Sequence, residues 1–182
     1  GGTLALGFVM AHPEMCRSIV VASAGAGSDP GNRERLVASW DALSAAMVAE
    51  GMEKFADGYA RGAERLQFLR KDPVGWAKFH AGLAAHSAQG SSLTFRGVQM
   101  KRPTIYQLQE KLQQIKAPTL VMIGDEDTPC VDPAVFMKRN IPSCGLAVFP
   151  QSGHTINLEE PDLYNRTMSD FLTAVEAGKW AG

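Results

Sequence analysis

Two continuous apolar runs constrain the fold of this chain more than any other feature. They lie within residues 17–23 (RSIVVAS) and 118–124 (PTLVMIG), and neither alternates apolar with polar side chains. That pattern is typical of strands covered on both faces, as in a parallel sheet. A shorter run at 146–149 (LAVF) predicts a third strand. Helical patterns separate the three runs, so we expect an α/β fold with a parallel sheet.

The segments between the runs have helical periodicity. Residues 2–12 are apolar nearly all round, which predicts a buried helix that Pro13 ends. From about 32 to 115 no run indicates a strand, and further helices are expected at 132–140 and after Pro161. Two stripes are interpreted as packing faces: Leu36, Trp40, Leu43 and Met47; Ile105, Leu108, Leu112 and Ile115. Tyr164, Met168, Phe171 and Val175 lie on one face of the last expected helix.

Composition excludes several classes of protein. The 182 residues carry a formal net charge of −1, with 45% hydrophobic and 20% charged residues, typical of a soluble globular protein. No basic excess is available for nucleic acid or an anionic membrane, and no apolar run is long enough to span a bilayer. Cys16, Cys130 and Cys144 lack the spacing of a disulfide framework or a zinc site. A cytoplasmic location is therefore expected.

Two loops that follow predicted strands carry the side chains most suited to catalysis. Residues 125–129 (DEDTP) follow the second long run, and residues 150–154 (PQSGH) follow the third run. In an open parallel sheet, ligands and catalytic groups gather at the carboxyl ends of the strands. A carboxylate and a histidine that follow neighbouring strands can meet there. Nucleophilic catalysis needs this pair, because the imidazole takes a proton and the carboxylate fixes its tautomer.

These loops carry a resemblance to a known family. The strings GDEDTPCVDP and SGHTINLEEP resemble the acid loop and the catalytic-histidine loop of the α/β-hydrolase fold. The acid precedes the histidine, in the order of that fold, and 27 residues separate Asp127 from His154. The resemblance implies a partial parallel sheet with a helical cap insertion. It divides the chain into core residues 1–30, a helical cap at 31–115, and core residues 116–182.

The start of the sequence contributes to the same resemblance. Gly1-Gly2, an apolar helix and a strand resemble the segment that comes directly after the nucleophile elbow G-x-S-x-G-G of that family. The chain is therefore expected to be the C-terminal portion of a hydrolase, with the nucleophile and the oxyanion hole upstream of Gly1. Ser23 and Ser152 are the alternatives within the sequence, but neither has the strand–turn–helix setting of a nucleophile.

The resemblance assigns His154 as the base and Asp127 as the acid, with Asp125 as the alternative acid. Asp132 is expected to cap the helix that follows it, and Glu160 to lie in the first turn of the last helix. Structural or solvated roles are expected for the other histidines, His12, His80 and His86. Of these, His80 and His86 could line the substrate pocket.

The expected reaction is cleavage of an ester or similar acyl bond in a small, apolar substrate, without a metal or a cofactor. The alternatives are a non-catalytic fragment or ligand-binding module, and a carbon–carbon bond hydrolase or cofactor-free haloperoxidase-like member of the same fold. Arg96 and Arg102 could meet a substrate carboxylate, although a solvated position is favoured. Candidates for the apolar pocket, each with core packing as its alternative, are Trp40, Met47, Phe55, Trp76, Phe79, Phe95 and Met100.

Overall fold

A three-stranded parallel sheet forms the centre of the computed structural model, which describes residues 1–180. Its strands are β1 (Ile19–Ala22), β2 (Thr119–Gly124) and β3 (Cys144–Phe149), and their order in the sheet is β1-β2-β3. The register aligns Ile19 with Thr119, and Thr119 with Cys144. Every residue of β2 is buried, as its non-alternating run predicts. The predicted α/β class and partial parallel sheet are confirmed.

Ten helices connect and cover these strands within residues 1–180. They are α1 (Gly2–Ala11), α2 (Arg33–Glu50), α3 (Met52–Ala60), α4 (Leu66–Lys71), α5 (Pro73–Ala84), α6 (Ala88–Thr94), α7 (Gln109–Gln113), α8 (Thr128–Asn140), α9 (Ile156–Glu159) and α10 (Pro161–Glu176). Short helical turns cover Pro13–Met15, Ala63–Arg65, Phe95–Gln99 and Tyr106–Leu108. None of the described helices is both long and apolar enough to cross a bilayer.

Apolar side chains cover the sheet on both faces. One face packs against α1, α8 and the predicted stripe at residues 105–115, all four members of which are buried. The other face packs against α9 and α10 through Leu120, Met122, Phe149, Ile156 and Phe171. Each large side chain buried in this way contributes about 1.5–3 kcal/mol to folding. The central position of β2 fixes where the loops after β2 and β3 emerge.

Helix α1 differs from its prediction. Leu6 and Val9 are buried, but Leu4 and Phe8 are 67% and 46% exposed, so the helix is covered on one side only. The expected buried helix is therefore buried on one face only, because α1 packs against the sheet through its inner face. An apolar composition predicts that a helix face can be covered, and the neighbouring elements decide whether it is.

Helices α2 to α6 lie between β1 and β2 in the sequence and have cores of their own. Two clusters centre on Met47, Met52 and Phe55, and on Ala60, Phe68 and Trp76. The stretch 105–115, by contrast, packs against the sheet. A cap at 31–115 stays a prediction at this point, and the last two residues of the predicted segment 116–182 lie outside the described residues.

Candidate active site

The loops after β2 and β3 are joined at the edge of the sheet. The backbone N–H of Asp125 donates to the Phe149 carbonyl oxygen at 3.0 Å, and that of Glu126 donates to the Ser152 carbonyl oxygen at 2.9 Å. A Cβ at Gly124 would collide with that same Ser152 carbonyl, so glycine permits the close approach. The side chain of Asp125 adds a third link by accepting the Ser152 N–H at 3.1 Å.

Asp127 and His154 meet where these loops join. The Nδ1 and Oδ2 atoms of the two side chains are 2.8 Å apart, and Nδ1 is the donor because an ionised carboxylate only accepts. Asp127 is 1% exposed, whereas the His154 side chain is 31% exposed. Asp127 also occupies the N-cap position of α8, but its side chain does not cap the helix and faces His154 instead. The structure thus brings together the acid and the base predicted from the sequence.

A cavity of about 1060 Å³ opens in front of this pair. Asp127, His154 and the first residues of α1 line one side. The helices between β1 and β2 supply the apolar side, which consists of Leu36, Trp40, Leu43, Phe55 and Phe95. Three of the predicted pocket residues, Trp40, Phe55 and Phe95, therefore lie at the cavity. Met47, Trp76 and Phe79 pack in the helical clusters, and Met100 does not line the cavity.

Arg102 supplies positive charge at the same cavity. Its guanidinium donates to the Ala26 carbonyl oxygen at 3.0 Å and lies 3.4 Å from the Thr3 hydroxyl. Burial, followed by repulsion from the Arg33 guanidinium, lowers the pKa of Arg102 from its ordinary value. Among residues 1–180 no carboxylate lies within ion-pair distance of either guanidinium. The expectation of a solvated position is therefore wrong for Arg102. Arg96 agrees with it, because its side chain pairs with exposed Asp41 at the surface.

Two carboxylates were assigned to helix starts by the sequence. Asp132 lies inside α8 rather than at its start, so the predicted cap is wrong. The helix begins earlier because Pro129 suits its first turn, where a missing N–H costs nothing. Glu160 is the residue immediately before α10, one position ahead of the predicted first turn, and it pairs with Lys71 at 2.6 Å.

The other histidines and serines lie apart from the Asp127–His154 contact. His80 accepts or donates a hydrogen bond with Asp57 at 2.8 Å, and His86 lines a separate cavity of about 400 Å³. His12 follows the last residue of α1. The Ser152 hydroxyl donates to the Pro150 carbonyl and accepts from Lys71. Ser23 lines the main cavity with a φ of 46° and has a buried hydroxyl that no described residue pairs.

Cys130 is a member of the site that sequence reasoning did not single out. Ligand atoms of Asp127, Cys130 and His154 lie within 4.8 Å of one another, an arrangement that could hold a thiophilic metal ion. Burial, and then the Asp127 carboxylate, raise the pKa of the Cys130 thiol well above its ordinary value. At neutral pH the side chain is therefore a protonated thiol beside the Asp127 carboxylate. The sequence signal that could have revealed Cys130 is its spacing of three residues from Asp127, which places both side chains at the start of the same helix.

The fold and these loops define a class of protein. The sequence model of the alpha/beta hydrolase family matches residues 1–167, and the chain belongs to this family. Among curated proteins, the chain is 24% identical over 191 residues to a Bacillus subtilis (strain 168) protein assigned as a 2-succinyl-6-hydroxy-2,4-cyclohexadiene-1-carboxylate synthase. That match covers 96% of this chain and 64% of the relative.

Two solved structures show the same fold at low identity. MenH from S. aureus has a TM-score of 0.88 at 21% identity, covering 97% of this chain and 66% of that one. The enol-lactonase from Burkholderia xenovorans LB400 has a TM-score of 0.78 at 19% identity, covering 94% of this chain and 62% of that one. The chain therefore spans slightly less than two thirds of the length of these proteins.

Proposed function

We propose that the whole protein is a hydrolase that cleaves an ester or similar acyl bond, with His154 as the base and Asp127 as the acid that orients it. The hydrogen bond between His154 Nδ1 and Asp127 Oδ2 carries the proposal. It holds the imidazole in the tautomer whose Nε2 can accept a proton, and His154 lines the cavity. Both residues stand at the carboxyl ends of neighbouring strands, where this fold places catalytic groups.

In the proposed reaction, His154 Nε2 removes the proton from a nucleophile as it attacks the acyl carbon. The buried Asp127 carboxylate stabilises the imidazolium that forms, and His154 then protonates the leaving group. Water, activated by the same imidazole, releases the acyl group from the nucleophile. No step in this reaction requires a metal or an organic cofactor.

The nucleophile is proposed to precede Gly1 in the whole protein. Gly1 and Gly2 line the cavity that His154 faces, so the chain entering α1 arrives beside the base. A Cβ at Gly2 would lie 2.6 Å from the Ala22 carbonyl oxygen, which supports a glycine required for close packing of helix and strand. The share of the relatives that the chain spans is consistent with an upstream segment.

Residues 31–115 are proposed to form the cap, although the stretch 105–115 packs against the sheet. Helices α2 and α3 and the turn Phe95–Gln99 support this proposal, because they supply the apolar wall of the cavity. A small molecule with an apolar acyl part fits this wall. Carbon–carbon bond cleavage and cofactor-free haloperoxidase-like chemistry remain alternatives that use the same acid and base, and a cytoplasmic location is likewise a proposal.

A carboxylate on the substrate is favoured by Arg102. This half-buried cation has no described acidic partner, and a substrate carboxylate would compensate for its desolvation. The name of the Bacillus subtilis relative states that its product is a carboxylate, which supports a substrate that carries a carboxylate. The proposed substrate is therefore an acyl compound with an apolar part against Trp40 and Phe55 and a carboxylate near Arg102.

Replacing Arg102 tests this substrate class. We expect Arg102→Met in the whole protein to lower kcat/KM about tenfold or more for p-nitrophenyl hemisuccinate, because a charge-assisted hydrogen bond is lost. Turnover of neutral p-nitrophenyl butyrate should change less than about twofold. Arg96→Met, which removes a guanidinium paired with Asp41 on the surface, is the matched control. Equal losses on both esters would contradict a carboxylate site at Arg102.

Covalent labelling tests the proposed reaction class. We expect a fluorophosphonate probe to label one serine upstream of Gly1 in the whole protein, and His154→Ala to slow that labelling. The 182-residue chain alone should show neither labelling nor His154-dependent turnover of a p-nitrophenyl ester. Labelling that is absent from the whole protein, or unaffected by loss of His154, would favour the non-catalytic or ligand-binding alternative.

A further inference from the structure

The backbone N–H groups of residues 153–155 donate hydrogen bonds to only two residues, Glu159 and Glu64. The N–H of Gly153 donates to Glu159 Oε2 at 2.7 Å, and that of Thr155 donates to Glu159 Oε1 at 3.0 Å. The N–H of His154 itself donates to the Glu64 carbonyl oxygen at 2.7 Å. The Thr155 hydroxyl adds a fourth hydrogen bond, to Glu159 Oε1 at 2.9 Å. The backbone at the catalytic histidine is thus held on both sides.

Burying the Glu159 carboxylate costs free energy unless other groups compensate for its lost hydration. It is only 6% exposed, and within residues 1–180 no Lys, Arg or His lies at ion-pair distance from it. A buried carboxylate is tolerated when hydrogen bonds satisfy it. Each oxygen of Glu159 accepts from a different backbone N–H, a pattern that a carboxylate provides and that an amide, with one acceptor and one donor, does not.

The opposite side of the loop packs closely against the turn Ala63–Arg65. A Cβ at Gly153 would collide with the Glu64 carbonyl, so the loop is in close contact with the turn Ala63–Arg65. Upstream, Asp125 binds the Ser152 N–H. With the backbone fixed at positions 152 to 155, the direction in which the His154 side chain leaves the loop is fixed as well.

We propose that Glu159 is a positioning residue that fixes the His154 backbone so that Nδ1 meets Asp127, an inference that rests on the proposed role of His154 as the base. Glu159 does not line the cavity and has no hydrogen bond to the imidazole, and it acts through the N–H groups on either side of His154. Loss of this carboxylate would free the loop to rotate and would lengthen the contact between Nδ1 and Oδ2.

Glu159→Gln tests the proposal in the whole protein, with Asp162→Asn as the matched control. Asp162 is an exposed carboxylate in the first turn of α10, so its replacement removes the same charge without touching the loop. In Glu159→Gln we expect the Nδ1 proton that His154 shares with Asp127 to exchange with water at least about tenfold faster by NMR. We also expect kcat to fall about tenfold to a hundredfold, with KM within about twofold.

Turnover and the proton signal separate the possible failures. An unchanged Nδ1 proton in a folded Glu159→Gln variant would overturn the positioning role. If that variant does not fold, Thr155→Val removes a single donor to Glu159, and an unchanged proton there would also overturn it. Faster exchange of the Nδ1 proton in Glu159→Gln, in an enzyme whose turnover does not depend on His154, would retain the positioning role and reject the proposed function.

Discussion

Replacing His154 by alanine in the whole protein is expected to lower kcat for a p-nitrophenyl ester by at least about 10⁴-fold. His154 is the only described residue that is both hydrogen-bonded to buried Asp127 and exposed to the cavity. Without the imidazole, the nucleophile keeps its proton and the leaving group departs unprotonated. A 10⁴-fold loss corresponds to about 5.5 kcal/mol of transition-state stabilisation. KM should change little, because the ring's main contact is with Asp127.

His12→Ala is the matched control for this measurement. His12 is exposed and lies after the last residue of α1, and it does not line the main cavity. Its loss should leave kcat and KM within about twofold of the original protein. Full activity in His154→Ala, measured on protein with an unchanged thermal transition, would reject His154 as the base.

The parallel sheet and the contact between Asp127 and His154 could be predicted from the sequence for physical reasons. A strand buried on both faces needs apolar side chains at every position, so residues 118–124 revealed β2 directly. Parallel strands end at one edge, so the loops after β2 and β3 had to meet if the strands were neighbours. Those loops carried several carboxylates, and the resemblance to the α/β-hydrolase fold singled out Asp127 and His154, whose side chains lie 2.8 Å apart.

Other features depended on packing between distant segments. The burial of Arg102 results from its contacts with Thr3 and Ala26, far away in the sequence. The exposure of Leu4 and Phe8 depends on which neighbours α1 has, which the apolar composition of a helix does not reveal. The hydrogen bonds of Glu159 to the N–H groups of Gly153 and Thr155 depend on how the backbone of the histidine loop turns back towards α9, which the sequence does not reveal.

Asp127→Asn is expected to lower kcat by about 10⁴-fold while the fold is retained. The amide offers one acceptor and one donor where the carboxylate offers two acceptors. The Cys130 thiol lies beside residue 127 and can donate only to the amide oxygen, so it favours the orientation in which the NH₂ group faces His154. That orientation selects the imidazole tautomer that carries its proton on Nε2. Because Nε2 is already protonated, it can no longer accept a proton from the nucleophile.

Asp125→Asn distinguishes the two candidate acids. Asp125 binds the Ser152 N–H and has no contact with the imidazole, so its amide can keep the hydrogen bond through its oxygen. We therefore expect kcat to fall by less than about tenfold in Asp125→Asn, against about 10⁴-fold in Asp127→Asn. The double variant Asp127→Asn with Cys130→Ala should recover part of the loss, because the amide is then free to turn its oxygen towards His154. A larger loss in Asp125→Asn than in Asp127→Asn would transfer the acid role to Asp125, and an Asp127→Asn enzyme with full activity would reject the proposed acid–base pair.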